Sequence, residues 1–431
     1  MRVERFIAKR IGGIGNRSFS GMIAKIAIAA VALSMMVMII TTNVITGFKN
    51  QISNKVFDFW GHIHVSSGLA SDSFEAVPFD YDQHLVDTIA SADRITYQRP
   101  PTIADPELLM PTRTSQGGVT RVDPFIITSG ILSDNDLFEA ILLKGSAPDS
   151  NQEELTNFLV AGQLIDYPQD KASRDILVSS MIARRMRLNV DDRLIINFIV
   201  DGDPIKRAFR VSGIYKTGLG EYDRRFVIVD MRILQDVLGW TTNQISGLEI
   251  HLDEWQDMDV FTEYIYFELL PGRLYAESAR QKFYQIFEWL ELQNINERVL
   301  IILMVLVAMI NMITALMIFV LERTKMIGIL KALGTKNWTI RQIFLYHALR
   351  IIAYGMIIGN ALALLFCYVQ MQTGILKLSE ADYYLDRVPI EFNWMSMLLI
   401  NAGTIVIVLL FLIVPTRIIS GISPVKTIQF K

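Results

Sequence analysis

Cysteine is almost absent from this chain of 431 residues, which contains a single one, Cys367. No disulfide can form within the chain, so each folded part must be stable through its own core. Charge is scarce too: 20% of residues are charged, 51% are hydrophobic, and mean hydropathy is +0.33. A soluble protein of this length normally carries more charge. The composition therefore argues against a purely soluble protein.

Motifs for catalysis and nucleotide binding are also missing. The sequence contains no Gly-Lys dipeptide, and hence no phosphate-binding loop of the G-x-x-x-x-G-K-[ST] type. It also lacks G-x-S-x-G and H-E-x-x-H. His62 and His64 would share one strand face and could bind metal, but a surface strand explains them better. We predict no catalytic residue, no metal, no cofactor on this chain and no nucleic-acid partner.

What the chain has instead is four long apolar runs, at residues 26–45, 299–321, 351–369 and 395–414. A helix needs about 20 apolar residues to cross the hydrocarbon core of a bilayer. We therefore predict four transmembrane helices, with bounds 26–47, 299–321, 343–370 and 395–414. The first run is too long for the apolar part of a cleaved signal peptide, so we interpret it as a retained span.

Basic residues predict the orientation of these spans. The amphipathic segment 1–25, the loop 322–342 and the tail 415–431 are rich in Lys and Arg, whereas the loop 371–394 is net acidic. Because basic segments stay in the cytoplasm, all three should face it, which an even number of spans allows. The region 48–298 then lies outside the cytoplasm.

Polar and small residues occur at regular places in the spans. Each span has one asparagine near or within it, which in lipid seeks partners on neighbouring helices: Asn43, Asn311, Asn360 and Asn401. Gly355, Gly359 and Ala363 place small residues four apart on one face of the third span. That spacing suits close contact with another helix, although membrane helices also simply tolerate small residues.

The region between the first two spans mixes strand and helix patterns, which indicates an α+β domain. We predict strands at 175–179 and 226–229, a helix at 181–188, and a hairpin formed by 193–200 and 207–215. Asp201, Gly202, Asp203 and Pro204 supply the turn signal. Loops are expected around the proline-rich residues 100–111.

The two ends of this region turn helical again, at apolar residues with helical spacing. They are Phe48, Ile52, Val56 and Phe59 at one end, and Phe283, Ile286, Phe287 and Leu290 at the other. We interpret them as two legs of a stalk that continues the first two spans. Simple pairing of the legs and transmission of movement along them require the same packing.

The loop after the second span contains an amphipathic helix with the sequence LERTKMIGILKALG, residues 321–334. Met326, Ile329, Leu330 and Leu333 fall on one face. Gly334 suits the end of this helix, and Asn337 could cap the next. The helix either rests on lipid headgroups or docks a partner protein.

This segment, extended to ERTKMIGILKALGTKNWTIRQIF, resembles the signature of ABC transporter permeases of the MacB/FtsX/LolC–LolE superfamily. The lipoprotein-releasing LolC/LolE branch is most similar, through FIAKRI, TGFKNQI, ILVSSMIARRM, EYDRRFVIVD, YYLDRVPIEFNW and ISPVKTIQFK. The resemblance covers the whole chain. It implies an α+β membrane protein with four transmembrane helices and a large extracytoplasmic, MacB-like periplasmic core domain between spans 1 and 2.

The resemblance also implies partners. A separate ATPase subunit would hold ATP and Mg and dock on the coupling residues Arg323, Lys325, Met326, Ile329, Leu330 and Leu333. A second permease, either a copy or a paralogue, a lipoprotein cargo and a periplasmic lipoprotein carrier would complete a mechanotransmission system in the bacterial inner membrane. The alternatives are a MacB-like export pump and an FtsX-like regulator of cell-wall hydrolases.

One permease of this branch hooks the carrier with a hairpin loop. The equivalent place here is the turn after residue 200, with Pro204, Ile205, Lys206 and Arg207 as the candidate hook. A plain tight hairpin is the alternative interpretation.

Overall fold

The computed structural model describes residues 19–68, 76–97, 113–134, 137–148, 150, 152–200 and 202–416. The described chain divides into two compact units. The membrane unit comprises the described parts of Met1–Gln51, Trp289–Leu378 and Asp386–Lys431. The sheet unit comprises those of Ile52–Glu288 together with Ser379–Leu385. The predicted N-terminal segment before residue 19, the tail from 417 and the proline-rich residues 100–111 lie outside the described residues.

The α-helices are α1 (Phe19–Trp60), α2 (Gln83–Ala90), α3 (Gln152–Phe158), α4 (Ser180–Met186), α5 (Gly220–Arg225), α6 (Met231–Leu238), α7 (Met258–Tyr264), α8 (Ala279–Lys282), α9 (Tyr284–Glu322), α10 (Thr324–Ala332), α11 (Asn337–Thr373), α12 (Glu380–Tyr383) and α13 (Trp394–Thr416). The strands are β1 (Ile63–Ser67), β2 (Phe79–Asp80), β3 (Thr96–Tyr97), β4 (Arg113–Thr114), β5 (Val119–Asp134), β6 (Leu137–Ser146), β7 (Leu159–Gly162), β8 (Asp175–Ser179), β9 (Arg193–Val200), β10 (Asp203–Tyr215), β11 (Phe226–Asp230), β12 (Gln244–Ile245), β13 (Gly247–Leu252) and β14 (Leu274–Ser278).

Four of the described helices, α1, α9, α11 and α13, are long and apolar enough to cross a membrane. The first two are longer than a span requires, with 42 and 39 residues, because each continues into a predicted stalk leg without a break. The third begins at Asn337, earlier than predicted. Lys336 occupies its N-cap position without a side-chain bond, so the expected cap at Asn337 is wrong.

Small residues let α11 pack closely against α1, as the sequence predicted. A Cβ added at Gly355 would lie 2.7 Å from the Cβ of Val31. At Gly359 it would lie 2.6 Å from the carbonyl oxygen of Ala32. Lipid tails are as apolar as the side chains, so helices in a membrane associate through such close packing rather than through the hydrophobic effect. The glycines therefore fix where the two helices cross.

Asparagines join α11 to α13 in the way expected of polar groups in lipid. The Nδ2 of Asn360 donates to the Oδ1 of Asn401 at 2.8 Å, and the Nδ2 of Asn401 donates back at 3.1 Å. Asn43 of α1 accepts a hydrogen bond from the backbone N–H of Asn393, just before α13, at 3.4 Å. These bonds tie three of the helices into one bundle.

The sheet unit is built on one mixed sheet that closes partly on itself. Strands β5, β6, β11, β8, β10 and β9 pair in that order, and β9 pairs with β5 again, so six strands form a ring. Strands β13, β1 and β14 extend the sheet from β5. Two pairs in the ring are parallel, β6 with β11 and β8 with β10, which fits the predicted α+β class.

Local elements in this unit agree well with the sequence. The strands at 175–179 and 193–200 are confirmed, and those expected at 226–229 and 207–215 are longer than predicted. The helix expected at 181–188 is α4, which stops at Met186 because Arg187 adopts a left-handed φ of 56°. The surface strand expected for His62 and His64 is wrong. His62 precedes β1, and β1 lies between β13 and β14 with His64 buried.

The loop between α11 and α13 contributes seven residues, Ser379–Leu385, to the sheet unit. Glu380 forms an ion pair with Lys216. The Nζ of Lys55 donates to the carbonyl oxygen of Tyr384 at 2.9 Å. The sheet unit is therefore assembled from two separate stretches of chain.

Candidate coupling and docking sites

The amphipathic helix of the loop is α10, and its two ends follow from its sequence. Arg323 occupies the N-cap position, so the helix is slightly shorter than the predicted one. After its last residue, Gly334 has a φ of 81°, and the N–H of Thr335 bonds to the carbonyl of Leu330 at 3.0 Å. Glycine reaches this left-handed conformation without strain, which confirms its predicted role as a stop.

One side of α10 packs on the helix bundle of the membrane unit. Ile327 is fully buried in a cluster with Phe319 and Phe344. Met326 and Leu330 are partly buried against the same cluster. Gly328, next to Ile327, is buried as well. The predicted apolar face is thus divided, and half of it serves the fold of the chain itself.

The other side of α10 is open. Ile329 is 53% exposed and Leu333 is 77% exposed, while Lys325 is exposed beside them. Arg323 lies at the start of the helix with its guanidinium 5.9 Å from the ring of Phe319. An exposed apolar pair next to a cation suits docking to another protein more than stability of this chain. Of the six predicted coupling residues, Lys325, Ile329 and Leu333 form this open surface.

The predicted hook residues lie in a strand, not in a turn. Asp203 already pairs with Val200, and Gly202 has a φ of 89°, so the turn is tight and Pro204 to Arg207 belong to β10. Ile205 is half-buried and Arg207 donates to Asp236 at 3.0 Å. These two side chains alternate with Pro204 and Lys206, which are exposed on the opposite face. The expected loop is therefore corrected to a β-ribbon, because strand pairing continues almost to its tip.

Exposed apolar residues cover the outer face of this ribbon and its neighbours. Register pairs Ile199 with Pro204, Ile195 with Ala208, and Ser133 with both Ile195 and Phe138, which puts them all on one face. We call the group Phe138, Ile195, Ile199 and Pro204 the apolar wall. Phe138 is 67% exposed and Ile199 is 69% exposed. Exposed apolar residues grouped on one face in this way are typical of interaction sites.

The two stalk legs pair through aromatic rings, as their spacing predicted. Phe48 and Trp289 meet edge to face with ring centroids 6.2 Å apart. Further along, Phe57 stacks on Phe287 at 5.9 Å. Ile52 and Val56 are fully buried. The packing that both sequence-based interpretations require is therefore present.

A buried lysine holds the end of the first leg. The Nζ of Lys144, on β6, donates to the carbonyl oxygen of Phe59 at 2.5 Å and pairs with Glu249 at 2.7 Å. It also lies 5.0 Å from the ring centroid of Trp60. His64 donates from Nε2 to the carbonyl oxygen of Trp60 at 2.5 Å. The Lys144 cation thus binds the C-terminal end of α1, where backbone carbonyl groups without partners in the helix favour positive charge.

We call the contact of Lys144, Glu249 and His64 with the end of α1 the Lys144 joint. Its electrostatics favour a charged Glu249. Burial alone would raise its pKa, but the Lys144 charge and the neighbouring His64, whose Nε2 lies 3.4 Å from the Glu249 carboxylate, outweigh burial and lower the pKa to about 2. Burial lowers the pKa of His251 to about 3 and that of His62 to about 4, so both rings stay neutral. Burial raises the pKa of Asp123 to about 6 despite its neighbour Arg121. Within the described residues, no three of these groups are placed to hold a metal ion.

Sequence reasoning missed this joint. Lys144 stands alone in the run AILLKGS, and Glu249 in GLEIHL, where strand alternation would place both in solvent. The only available signal was that two otherwise apolar strands contain charged residues of opposite sign. Charged side chains that are buried in such strands must be paired.

Comparison with known proteins identifies both parts of the chain. Residues 25–275 match the family model of the MacB-like periplasmic core domain, which is more than half of the sequence. The chain belongs to this family. Residues 298–424 match the FtsX-like permease C-terminal model, which covers α10 and the last three apolar helices. Four apolar helices and these two domains make the MacB-like chain a membrane-integral permease.

The curated relatives of this MacB-like permease match along almost its whole length. It is 19% identical to the "Lipoprotein-releasing system transmembrane protein LolE" of Haemophilus influenzae, over 95% of this chain and 94% of that one. It is 18% identical to the LolC protein of Neisseria meningitidis, over 96% of each. The extracellular domain of the transporter YknZ from Gram-positive bacteria overlaps 50% of this chain at 13% identity with a TM-score of 0.31. The chain is an ABC transporter permease of the LolC/LolE type.

Proposed function

We propose that this permease extracts lipoproteins from the bacterial inner membrane and passes them to a periplasmic carrier, driven by a separate ATPase subunit. The observation that carries the proposal is the match to LolE and LolC proteins along both domains, with 94% or more of each relative covered. The chain has no phosphate-binding loop of its own, so ATP and Mg would bind on the partner.

The ATPase subunit docks at Ile329 and Leu333 on α10. The inner half of this helix is fixed on the bundle by Ile327, so a push on its outer half reaches the spans rather than being absorbed by a mobile loop. Lys325 supplies charge at the rim of the same surface. Two permeases, identical or paralogous, each present one such helix.

The basic loop that carries α10 lies in the cytoplasm, and the sheet unit lies in the periplasm. This orientation follows from the five basic residues of 322–342 against one acid, Glu322. The paired rings of the stalk and the Lys144 joint then carry movement outward from the spans, because side chains packed in this way move together.

The carrier docks on the apolar wall. Its apolar residues offer a surface for a protein that itself transports acyl chains, and Lys206 offers charge at the edge. Pro204 belongs to the wall, and Lys206 lies next to it on the same face of β10. Ile205 and Arg207 support it from the other face of β10.

A MacB-like export pump is the second candidate, favoured by the core domain that matches residues 25–275. Its cargo would leave through an outer-membrane channel rather than on a soluble carrier. An assay with a carrier separates the two functions.

The test is release of an acylated lipoprotein from proteoliposomes that contain the permease pair and its ATPase, with the carrier added outside. Ile329→Asp places a charge in the α10 surface, and we expect the ATPase to stop co-purifying while the carrier still binds. Ile199→Asp places the same charge on the apolar wall, and we expect the carrier to stop binding while the ATPase still co-purifies. Each variant is the control for the other, because both positions are exposed and tolerate the change in folding.

Three outcomes would contradict the proposal. ATP-dependent export without any need for the carrier favours the pump. Normal ATPase association of the Ile329→Asp variant favours an α10 that rests on lipid. Normal carrier binding by Ile199→Asp moves the carrier site elsewhere.

A further inference from the structure

A long apolar groove runs between α11 and α13 at the end of the bundle that adjoins the basic loop. Its walls are formed by Trp338, Leu345 and Leu349 of α11 and by Leu409, Leu410 and Ile413 of α13. Its volume is about 450 Å³, and the amide of Gln342 is a polar group on its surface. All of these residues belong to the membrane unit.

The length of the groove matches one leaflet of a bilayer. From Trp338 to Leu349 the helix advances eleven residues, which at about 1.5 Å each is roughly 16 Å. Half of the hydrocarbon core is about 15 Å. Trp338 is exposed at the end next to the loop, where the headgroup region of a membrane would lie, and tryptophan favours that depth. An acyl chain would therefore fill the groove with its headgroup near Trp338 and Gln342.

The charge at this end selects the headgroup. Residues 322–342 carry five basic side chains and one acidic one, and Lys336 is exposed two residues before Trp338. Burial and, to a smaller extent, the nearby charge of Arg341 lower the pKa of Lys331, so these two cations lie near each other. An anionic group relieves this repulsion, whereas a zwitterionic headgroup relieves less of it.

We propose that the groove between α11 and α13 binds an anionic phospholipid from the leaflet on the side of the basic loop. The acyl chains lie along Leu345, Leu349 and Leu410, and the phosphate lies among the cations before Trp338. This site is separate from the exposed pair Ile329 and Leu333 and does not depend on which cargo the transporter moves.

Native mass spectrometry of the full-length permease, extracted from bilayers of phosphatidylglycerol and phosphatidylethanolamine, tests the proposal. We expect the wild-type protein to retain phosphatidylglycerol. Leu410→Trp fills the groove and should abolish retention. Leu398→Trp is the matched control: both leucines are exposed on α13, at 63% for Leu398 and 58% for Leu410, but only Leu410 lines the groove.

The charge is tested by Lys336→Gln, which should reduce the preference for phosphatidylglycerol about fivefold without emptying the groove. Equal retention of the two lipids by the wild type would overturn the anionic assignment. Undiminished retention by Leu410→Trp would overturn the site. Loss of permease pairing by Leu410→Trp, with lipid still bound, would show that a helix of the second permease occupies the groove instead.

Discussion

The two ends of α1 are held by opposite chemistries. In the membrane unit, its contact with α11 depends on two glycines, Gly355 and Gly359, whose missing side chains let Val31 and Ala32 come close. In the sheet unit, the carbonyl group of Phe59, near its end, is held by the charge of Lys144, which Glu249 balances. Close fit works where lipid offers no hydrophobic driving force, and a paired ion works where a helix end must be fixed inside a protein core. One helix thus depends on close packing in the membrane unit and on a buried ion pair in the sheet unit.

The largest effect is expected from breaking the ionic end. Glu249→Gln leaves Lys144 buried without its counter-charge, which should destabilise the sheet unit by about 3–5 kcal/mol. Urea unfolding of the full-length protein, followed by limited proteolysis of the sheet unit, measures the change. The double variant Lys144→Met with Glu249→Leu should recover most of the loss, since no charge is then buried alone. A single variant as stable as the wild type would show that the pair is dispensable.

A smaller effect is expected at the close-packed end. Gly359→Leu forces a side chain against the backbone of Ala32 and should cost about 1–3 kcal/mol of bundle stability. Cys367, the only cysteine and buried in α11, reports the change through faster labelling by a maleimide in detergent. Gly403→Leu is the control, because a Cβ there meets nothing within 4 Å. Equal labelling of the two variants would mean that α1 and α11 do not depend on this contact.

The smallest effect is a pH dependence confined to the ionic end. As the pH falls below 6.5, unfolding lets His62, His64 and His251 take up protons that their lowered pKa values exclude in the folded state. Stability should therefore fall on acidification, by about 0.7 kcal/mol per pH unit for each histidine at pH 6.5, rising toward about 1.4 kcal/mol per pH unit at lower pH. Between about pH 6 and 4 the raised pKa values of Asp58 and Asp123 oppose the trend, because their folded forms bind protons more readily.

His251→Gln should remove about a third of the histidine contribution to the slope between pH 6.5 and 6 in the same urea experiment. The same exchange at the exposed His84 is the control. A slope that His251→Gln leaves unchanged would assign the dependence to other groups. The close-packed end contributes nothing to this slope, since glycines and aliphatic side chains do not titrate.

The comparison also separates what the sequence could predict from what it could not. The spans, the glycine face of α11 and the strand at 175–179 were predictable, because each follows from local pattern or length. The α10 surface was predicted as a whole, but which half faces outward depends on the contact of Ile327 with Phe319 and Phe344, residues of other helices. The turn at the candidate hook was predicted too long, because the pairing of β9 with β10, a property of two strands together, extends the ribbon past Pro204. The joint at Lys144 was missed for the same reason, since its partners lie far apart in sequence.

The loop segment Ser379–Leu385 has a consequence for how the protein is made. The sheet unit needs this segment, yet ribosomes synthesise it about 90 residues after Glu288, the end of the unit's main stretch. At about 5–20 residues per second, the main stretch would wait roughly 5–20 s for its last piece. During that time Lys216 lacks Glu380, and the aromatic hollow of Tyr222 and Phe283 lacks Tyr384. The nascent chain therefore passes through a stage at which the main stretch of the sheet unit is complete but open. The unit closes only after α11 has been made.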